Sequence, residues 1–154
     1  MDTGMKTKIL AVLKEGRDLV LATVRPDGGP QATAVSYVND GLTLYFGAAI
    51  NSQKARNLAR DNRISAVITL PYRDWTDIRG VSLSGWARPL SDLNEMGKAG
   101  VLFLKKFPET TQHIHSTEGV ALFELKLEFV SLLDYRQGFG HTDLVRITDL
   151  EKAA

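Results

Sequence analysis

Three strand-like runs follow one another with no room for a helix between them. Residues 18–24, 31–38 and 42–46 are rich in apolar and β-branched side chains. Only Arg25-Pro-Asp-Gly-Gly-Pro30 and Asn39-Asp-Gly41 separate them. Parallel neighbours need a crossover of a dozen or more residues, so gaps this short force an antiparallel meander. The first run, Leu19-Val-Leu-Ala-Thr-Val24, is apolar at both alternating positions, which predicts a strand covered on both faces.

The later segments extend this pattern. Residues 63–70 read as a strand stopped at Pro71, and 81–87 alternate strictly. Ala121, Phe123, Leu125, Leu127 and Phe129 form one face of a long strand whose other face is Glu124, Lys126 and Glu128. Helices are few. Ile9, Leu10, Val12 and Leu13 share a stripe closed by Gly16, and residues 52–60 turn Ala55, Leu58 and Ala59 inward. Asp92 with Glu95 makes a capping-box pattern for a helix running to about Phe107 and stopped by Pro108, with Gly97 and Gly100 as weak points inside it. Residues 72–79 have no period and read as a loop or strand end. Six strands with short connections predict a mainly β domain with flanking helices, a six-stranded antiparallel barrel, because closure removes exposed edges. The domain is expected to span residues 1–154, with 134–154 as a C-terminal tail.

The chain has 154 residues, 19 basic and 18 acidic, for a net charge of +1. That balance supplies no broad field for nucleic acid or an anionic membrane, so neither is an expected partner. There is no cysteine, which removes disulfides, thiolate catalysis and Cys-ligated metals. No signal peptide or spanning segment is read near the start, and a cytoplasmic location is the expectation. No Gly-x-Ser-x-Gly turn or His–carboxylate pairing supports nucleophilic hydrolysis.

Any anion specificity must be local, and Asn51-Ser-Gln-Lys-Ala-Arg56 provides a place for it. The first turn of a helix presents unpaired N–H groups and the positive end of the macrodipole; Ser52 and Lys54 add a hydroxyl and a full charge. Ser52 reads equally as an ordinary N-cap, and Lys54 as a solvated helix residue. His113 and His115 sit near Glu118 as a loop pair, and His141 follows Gly138-Phe-Gly140 as a donor, an iron ligand or a turn cap. Tyr72, Trp75, Trp86 and Phe139 are candidates for stacking on a planar ligand or for an interface. No metal site is expected.

The order of these elements resembles the pyridoxamine-phosphate-oxidase-like flavin-binding split-barrel superfamily. The resemblance is carried by Leu19-Val-Leu-Ala-Thr-Val24, Pro30-Gln-Ala-Thr-Ala-Val35, Gly41-Leu-Thr-Leu-Tyr-Phe-Gly47, Asn51-Ser-Gln-Lys-Ala-Arg-Asn-Leu-Ala-Arg-Asp-Asn-Arg63, Gly80-Val-Ser-Leu-Ser-Gly85 and the segment 133–145. It implies a split barrel that pairs into a homodimer with two FMN sites in the dimer groove. Ala32, Thr33, Ala34, Val35 and Ser36 would border the isoalloxazine, Gly47 and Ala48 the ribityl chain, and Ser52, Gln53 and Lys54 the phosphate. Gly80, Ser82, Trp86, Arg136, Phe139 and His141 are further expected cofactor contacts, with residues of the second subunit completing each site.

Three departures limit what the resemblance implies. The oxidase has Arg at the position of Gln53 and a flavin-holding Gln at the position of Gly80, and its Arg-containing C-terminal substrate segment does not match residues 134–145. Losing one charge-assisted contact removes on the order of 1–3 kcal/mol unless Arg56, Arg60, Arg79 or Arg88 replaces it. Vitamin B6 oxidation is therefore not expected. The expectation is an FMN-binding flavoprotein, a flavin-dependent oxidoreductase acting on a small molecule. The alternatives are a non-catalytic flavin-binding or stress-response module, or a same-fold protein for haem or a deazaflavin. The segment 135–144 is read either as part of the ligand groove or as a clamp on the final strand.

Overall fold

A computed structural model describes residues 3–152. Helix α1 (Thr3–Glu15) precedes the meander β1 (Asp18–Val24), β2 (Pro30–Asp40) and β3 (Thr43–Ala49). Helix α2 (Gln53–Arg60) leads to β4 (Arg63–Thr69), a 3₁₀ turn at Trp75–Asp77 and β5 (Arg79–Pro89). Then come α3 (Leu93–Lys106), the single turn α4 (Thr110–His113), the long β6 (Val120–Asp134), a 3₁₀ turn at Tyr135–Gln137, β7 (Thr142–Arg146) and α5 (Ile147–Glu151).

All pairings are antiparallel, in the order β3-β2-β1-β4-β5-β6-β7, and β3 also pairs with β6. Six strands thus close a barrel. The fifteen-residue β6 makes this possible, because Val120 to Leu125 pair with β3 while Phe129 to Leu133 carry β7 as an added seventh strand. The expected six-stranded barrel is present; β7 is too short and too exposed to have stood out in the sequence.

Alternation along β6 slips where the register against β5 shifts between Ser84 and Gly85. Ser84 faces Phe129 and Gly85 faces Leu127, which leaves Glu128 as the bulged residue. Phe123, Leu125 and Leu127 point inward before the bulge, and Val130 and Leu132 after it. Phe129, expected in the core, lies instead on the outer side under the Arg146 guanidinium. A Cβ on Gly85 would collide with the Lys126 carbonyl, so the bulge needs glycine there.

The barrel interior holds Leu19, Leu21, Tyr37, Phe46, Ile68 and Leu83, with Phe46 stacked on Phe123 at 5.1 Å. Helices α1 and α5 add Ile9, Leu13, Ile147 and Leu150 to the same core. A smaller cluster holds α3 against the outside of β2 and β3 through Ala99, Val38, Tyr45 and Phe107. Two expectations about faces are corrected. Strand β1 is covered on one face only within the chain, with Val20 exposed, and the third inward residue of α2 is Asn57, while Ala59 is exposed.

Candidate functional site

Helix α2 begins where β3 ends. Ser52 N–H donates to the Ala49 carbonyl, the Ser52 backbone is extended, and its Oγ caps the N–H of Ala55 at 3.3 Å. Among the described residues this leaves the N–H groups of Gln53 and Lys54 without acceptors, as expected for the first turn of a helix. The Lys54 side chain is half-buried and makes no ion pair or hydrogen bond among the described residues. The first turn of α2 thus carries two open N–H donors, an unpaired ammonium and the partial positive charge of the helix end.

Gln53 lies in a network at that turn. Its Nε2 donates to Asn57 Oδ1 at 2.8 Å, and its Oε1 accepts from Arg56 Nη2 at 2.9 Å. The same guanidinium donates through Nη1 to the Asn51 carbonyl at 2.9 Å. Of the four arginines considered as replacements for the oxidase's Arg, Arg56 is therefore the one at the first turn of α2. Arg60 donates to the Arg25 carbonyl, Arg79 pairs with Glu15, and Arg88 pairs with Glu95 and Glu124.

Asn57 is fully buried and donates through Nδ2 to Thr23 Oγ1 and Gln31 Oε1, both at 3.0 Å. This chain of amides ties α2 to the end of β1 and the start of β2. It places Gln31, and the strand leading to Ala32, Thr33 and Ala34, beside the helix. Ala32, Ala34 and Ser36 face outward and are exposed, whereas Thr33 and Val35 are half-buried. Ser36 Oγ donates to Asp18 Oδ1 at 2.8 Å. Gly47 and Ala48 pair with Leu122 and Ala121 directly before the helix. Asn57, Thr23 and Gln31 were missed from sequence; the available signal was an amide side chain on the inner stripe of a short helix.

The remaining expected contacts lie elsewhere. Strand β4 starts at Arg63, just past the C-terminal end of α2 and beside Trp86, and ends at Thr69 beside Gly80, so roughly 20 Å of strand separates Gly80 from that end of α2. A Cβ on Gly80 would meet the Ile68 carbonyl oxygen at 2.5 Å, so the closeness of β4 leaves no room for the glutamine of the oxidase. Ser82 faces outward on β5. Further along, Trp86 is exposed between Arg63 and Lys126 on the neighbouring strands, in an open groove of about 970 Å³ also lined by Arg60 and Arg88.

At the Gly80 end, Arg136 is committed to Asp134 by contacts of 2.8 and 3.0 Å. The guanidinium holds the buried Asp134 carboxyl down to about 2, against the opposing effect of burial. His141 Nε2 lies 2.7 Å from Asp143 Oδ2. Phe139, 72% exposed, stacks on Trp75 at 6.0 Å and meets Tyr135 edge-on at 5.5 Å. His113 and His115 are exposed. No cluster of three His, Cys, Asp or Glu suited to a metal occurs among the described residues, and none of the described helices is long and apolar enough to cross a membrane.

The outer faces of β2, β1, β4 and β5 form one uncovered surface. In register, Ala34 lies beside Val20 and Val67, and Ala32 beside Ala22 and Ser65, continuing to Ser82 and Ser84. Small and apolar side chains make it flat.

Comparison with known proteins places this architecture. Over 99% of its length the chain is similar in structure to a heme binding protein from Mycobacterium smegmatis, with a TM-score of 0.81 and 21% identity, and it spans 61% of that protein. It is similar to the heme storage protein of Vibrio cholerae, with a TM-score of 0.68 and 18% identity over 79% of this chain and 89% of the other. It is also similar to general stress protein 26 of Bacillus anthracis, with a TM-score of 0.69 and 17% identity over 92% and 98%. At these identities the likeness establishes the fold. No curated protein matches the chain. The family model described as pyridoxamine 5'-phosphate oxidase matches residues 5–133, most of the chain. With its closed barrel and the helix α2 set between β3 and β4, the chain belongs to the pyridoxamine 5'-phosphate oxidase family.

Proposed function

We propose that the chain forms a homodimer through the flat outer face of its barrel and binds FMN by its phosphate at the first turn of α2, acting as a flavin-dependent oxidoreductase on a small molecule. The observation that supports this reading is that the first turn of α2 carries the open N–H groups of Gln53 and Lys54, the unpaired Lys54 side chain and the Arg56 guanidinium. A phosphate dianion satisfies all of them. The residues present therefore fit the phosphate end of the cofactor, and the small side chains of Ala32 and Ala34 leave space for a planar ring against β2. The isoalloxazine supplies the hydride and electron chemistry when bound. The protein's part is to hold the phosphate, align the ring along β2 and shield it from water.

Dimerisation is part of the same reading. Gly80 and the tail lie a strand length from the near end of α2, and a second subunit would bring its own copies of those residues to the α2 site. The flat outer face, with Val20 and Val67 exposed, is suited to an isologous contact. The cytoplasm is the proposed location.

A second reading keeps the fold and exchanges the ligand. The similar proteins from M. smegmatis and V. cholerae are a heme binding and a heme storage protein, and His141, held through Nε2 by Asp143, would have Nδ1 left to hold a haem iron. A non-catalytic stress-response module is supported by the likeness to the B. anthracis protein. The absorbance of freshly purified protein separates these. Flavin bands, bleached anaerobically by a reduced nicotinamide, are the expected result. Flavin bands that a reduced nicotinamide does not bleach would support the module, and a Soret band with no flavin would overturn the FMN reading.

A further inference from the structure

Helix α3 is apolar on two faces. Met96, Ala99, Leu102 and Phe103 pack it onto β2 and β3. On the opposite side Leu93, Val101 and Leu104 are 83%, 51% and 49% exposed, and a Cβ added to Gly97 or Gly100 would meet nothing within 4 Å. At about 100° per residue, Leu93, Gly97, Gly100, Val101 and Leu104 fall in one stripe. Two glycines inside a helix weaken it relative to alanine. Packing within the chain does not require either of them.

The stripe has a symmetry of its own. The order Leu93, Gly97, Gly100, Leu104 reads the same from either end, which is the pattern needed by two identical helices lying antiparallel about a two-fold axis. The charges agree with that direction. Antiparallel packing opposes the two helix dipoles and sets the Asp92 cap of one helix towards Lys105 in the last turn of the other. Lys98 is held to the side by Asp40 at 3.0 Å, clear of the stripe.

We infer that α3 is a self-association surface whose partner is α3 of a second copy of this chain, packed antiparallel and close at the glycines. Leu93 meets Leu104 of the partner subunit, and Gly97 crosses the partner's Gly100. This contact lies on α3 and is separate from the barrel face assigned to the dimer, so the two together build a tetramer.

Because the chain has no cysteine, crosslinking tests the register directly. In full-length protein, a mixture of Leu93→Cys and Leu104→Cys is expected to form an intermolecular disulfide under mild oxidation, while neither variant alone does so. Identical positions lie roughly 16 Å apart along antiparallel helices, beyond the reach of a disulfide. Sedimentation is expected to give a tetramer for the wild type, and a dimer with unchanged melting temperature for Leu93→Glu and for Leu104→Glu. If only the barrel-face reading fails, the wild type is a dimer, the glutamate variants are monomers and the crosslinks persist. Gly97→Ala is expected to raise the melting temperature of the subunit while weakening assembly. Absence of crosslinking in the mixture, crosslinking of either variant alone, or a mass unaffected by both glutamates overturns the proposal.

Discussion

Lys106 is the side chain whose removal should strengthen this fold. Its Nζ is enclosed and has no hydrogen-bond partner among the described residues, and it lies 4.0 Å from the centroid of the buried Tyr37 ring. Burial pulls the ammonium down to about 8, with Arg17 adding repulsion and Asp18 opposing it. Against an ordinary lysine near 10.5, that gap corresponds to a penalty on the charged form of roughly 3 kcal/mol at most. Solvent near the stem and attraction to the ring reduce it to about 1–2 kcal/mol. Below about pH 8 both folded and unfolded chains carry the proton, and the folded state bears the whole penalty. Between there and roughly 10.5 the unfolded chain keeps a proton that the folded chain has released, so stability rises with pH through that window. Lys106→Met keeps the apolar stem without the charge. Urea unfolding at pH 7 should find the variant more stable by about 1–2 kcal/mol, with the advantage narrowing steadily to pH 9.5. Burial also raises the Tyr37 phenol, but both proteins contain it and the difference cancels. A variant less stable at pH 7, or an advantage independent of pH, would refute the reasoning.

Two further outcomes follow from the packing. Asn57→Leu leaves Thr23 Oγ1 and the amides of Gln31 and Gln53 without their shared partner; chemical denaturation should report a loss of about 1–3 kcal/mol, and FMN affinity should fall with it. Ending the chain after Arg146 removes Ile147 and Leu150 from the main core, so calorimetry of the ligand-free protein should show a clear drop in melting temperature, equivalent to about 2–4 kcal/mol.

Much of the fold was legible because short gaps and period-two patterns restrict topology severely. Residues 18–46 had to form a meander, and Asp92 does cap α3, accepting from the N–H groups of Asn94 and Glu95. The capping box is only half formed, because Glu95 turns to Arg88. What stayed hidden depends on neighbours distant in sequence. The bulge at Glu128 is set by the register of β5 against β6, so Phe129 looked like core although it is not. The crowding of Gly80 against Ile68 cannot be seen in either strand alone. Val20 and Ala22 read as doubly buried because their outward face is as small and apolar as an interior one, and a period-two pattern does not show what covers a face. At the candidate site Ser52 and Lys54 stood out by their helix-start pattern, while Asn57 and Gln31 did not, since their pairing spans 26 residues.

The anchoring of a cofactor phosphate by α2 is tested most directly by titrating wild-type protein and Lys54→Ala with FMN and with riboflavin, which differ only in that phosphate. The substitution is expected to weaken FMN by about 10-fold or more, in keeping with the ~1.5–3 kcal/mol of a charge-assisted contact, and to leave riboflavin within about 2-fold. Equal weakening of both ligands, or no change in either, would contradict it.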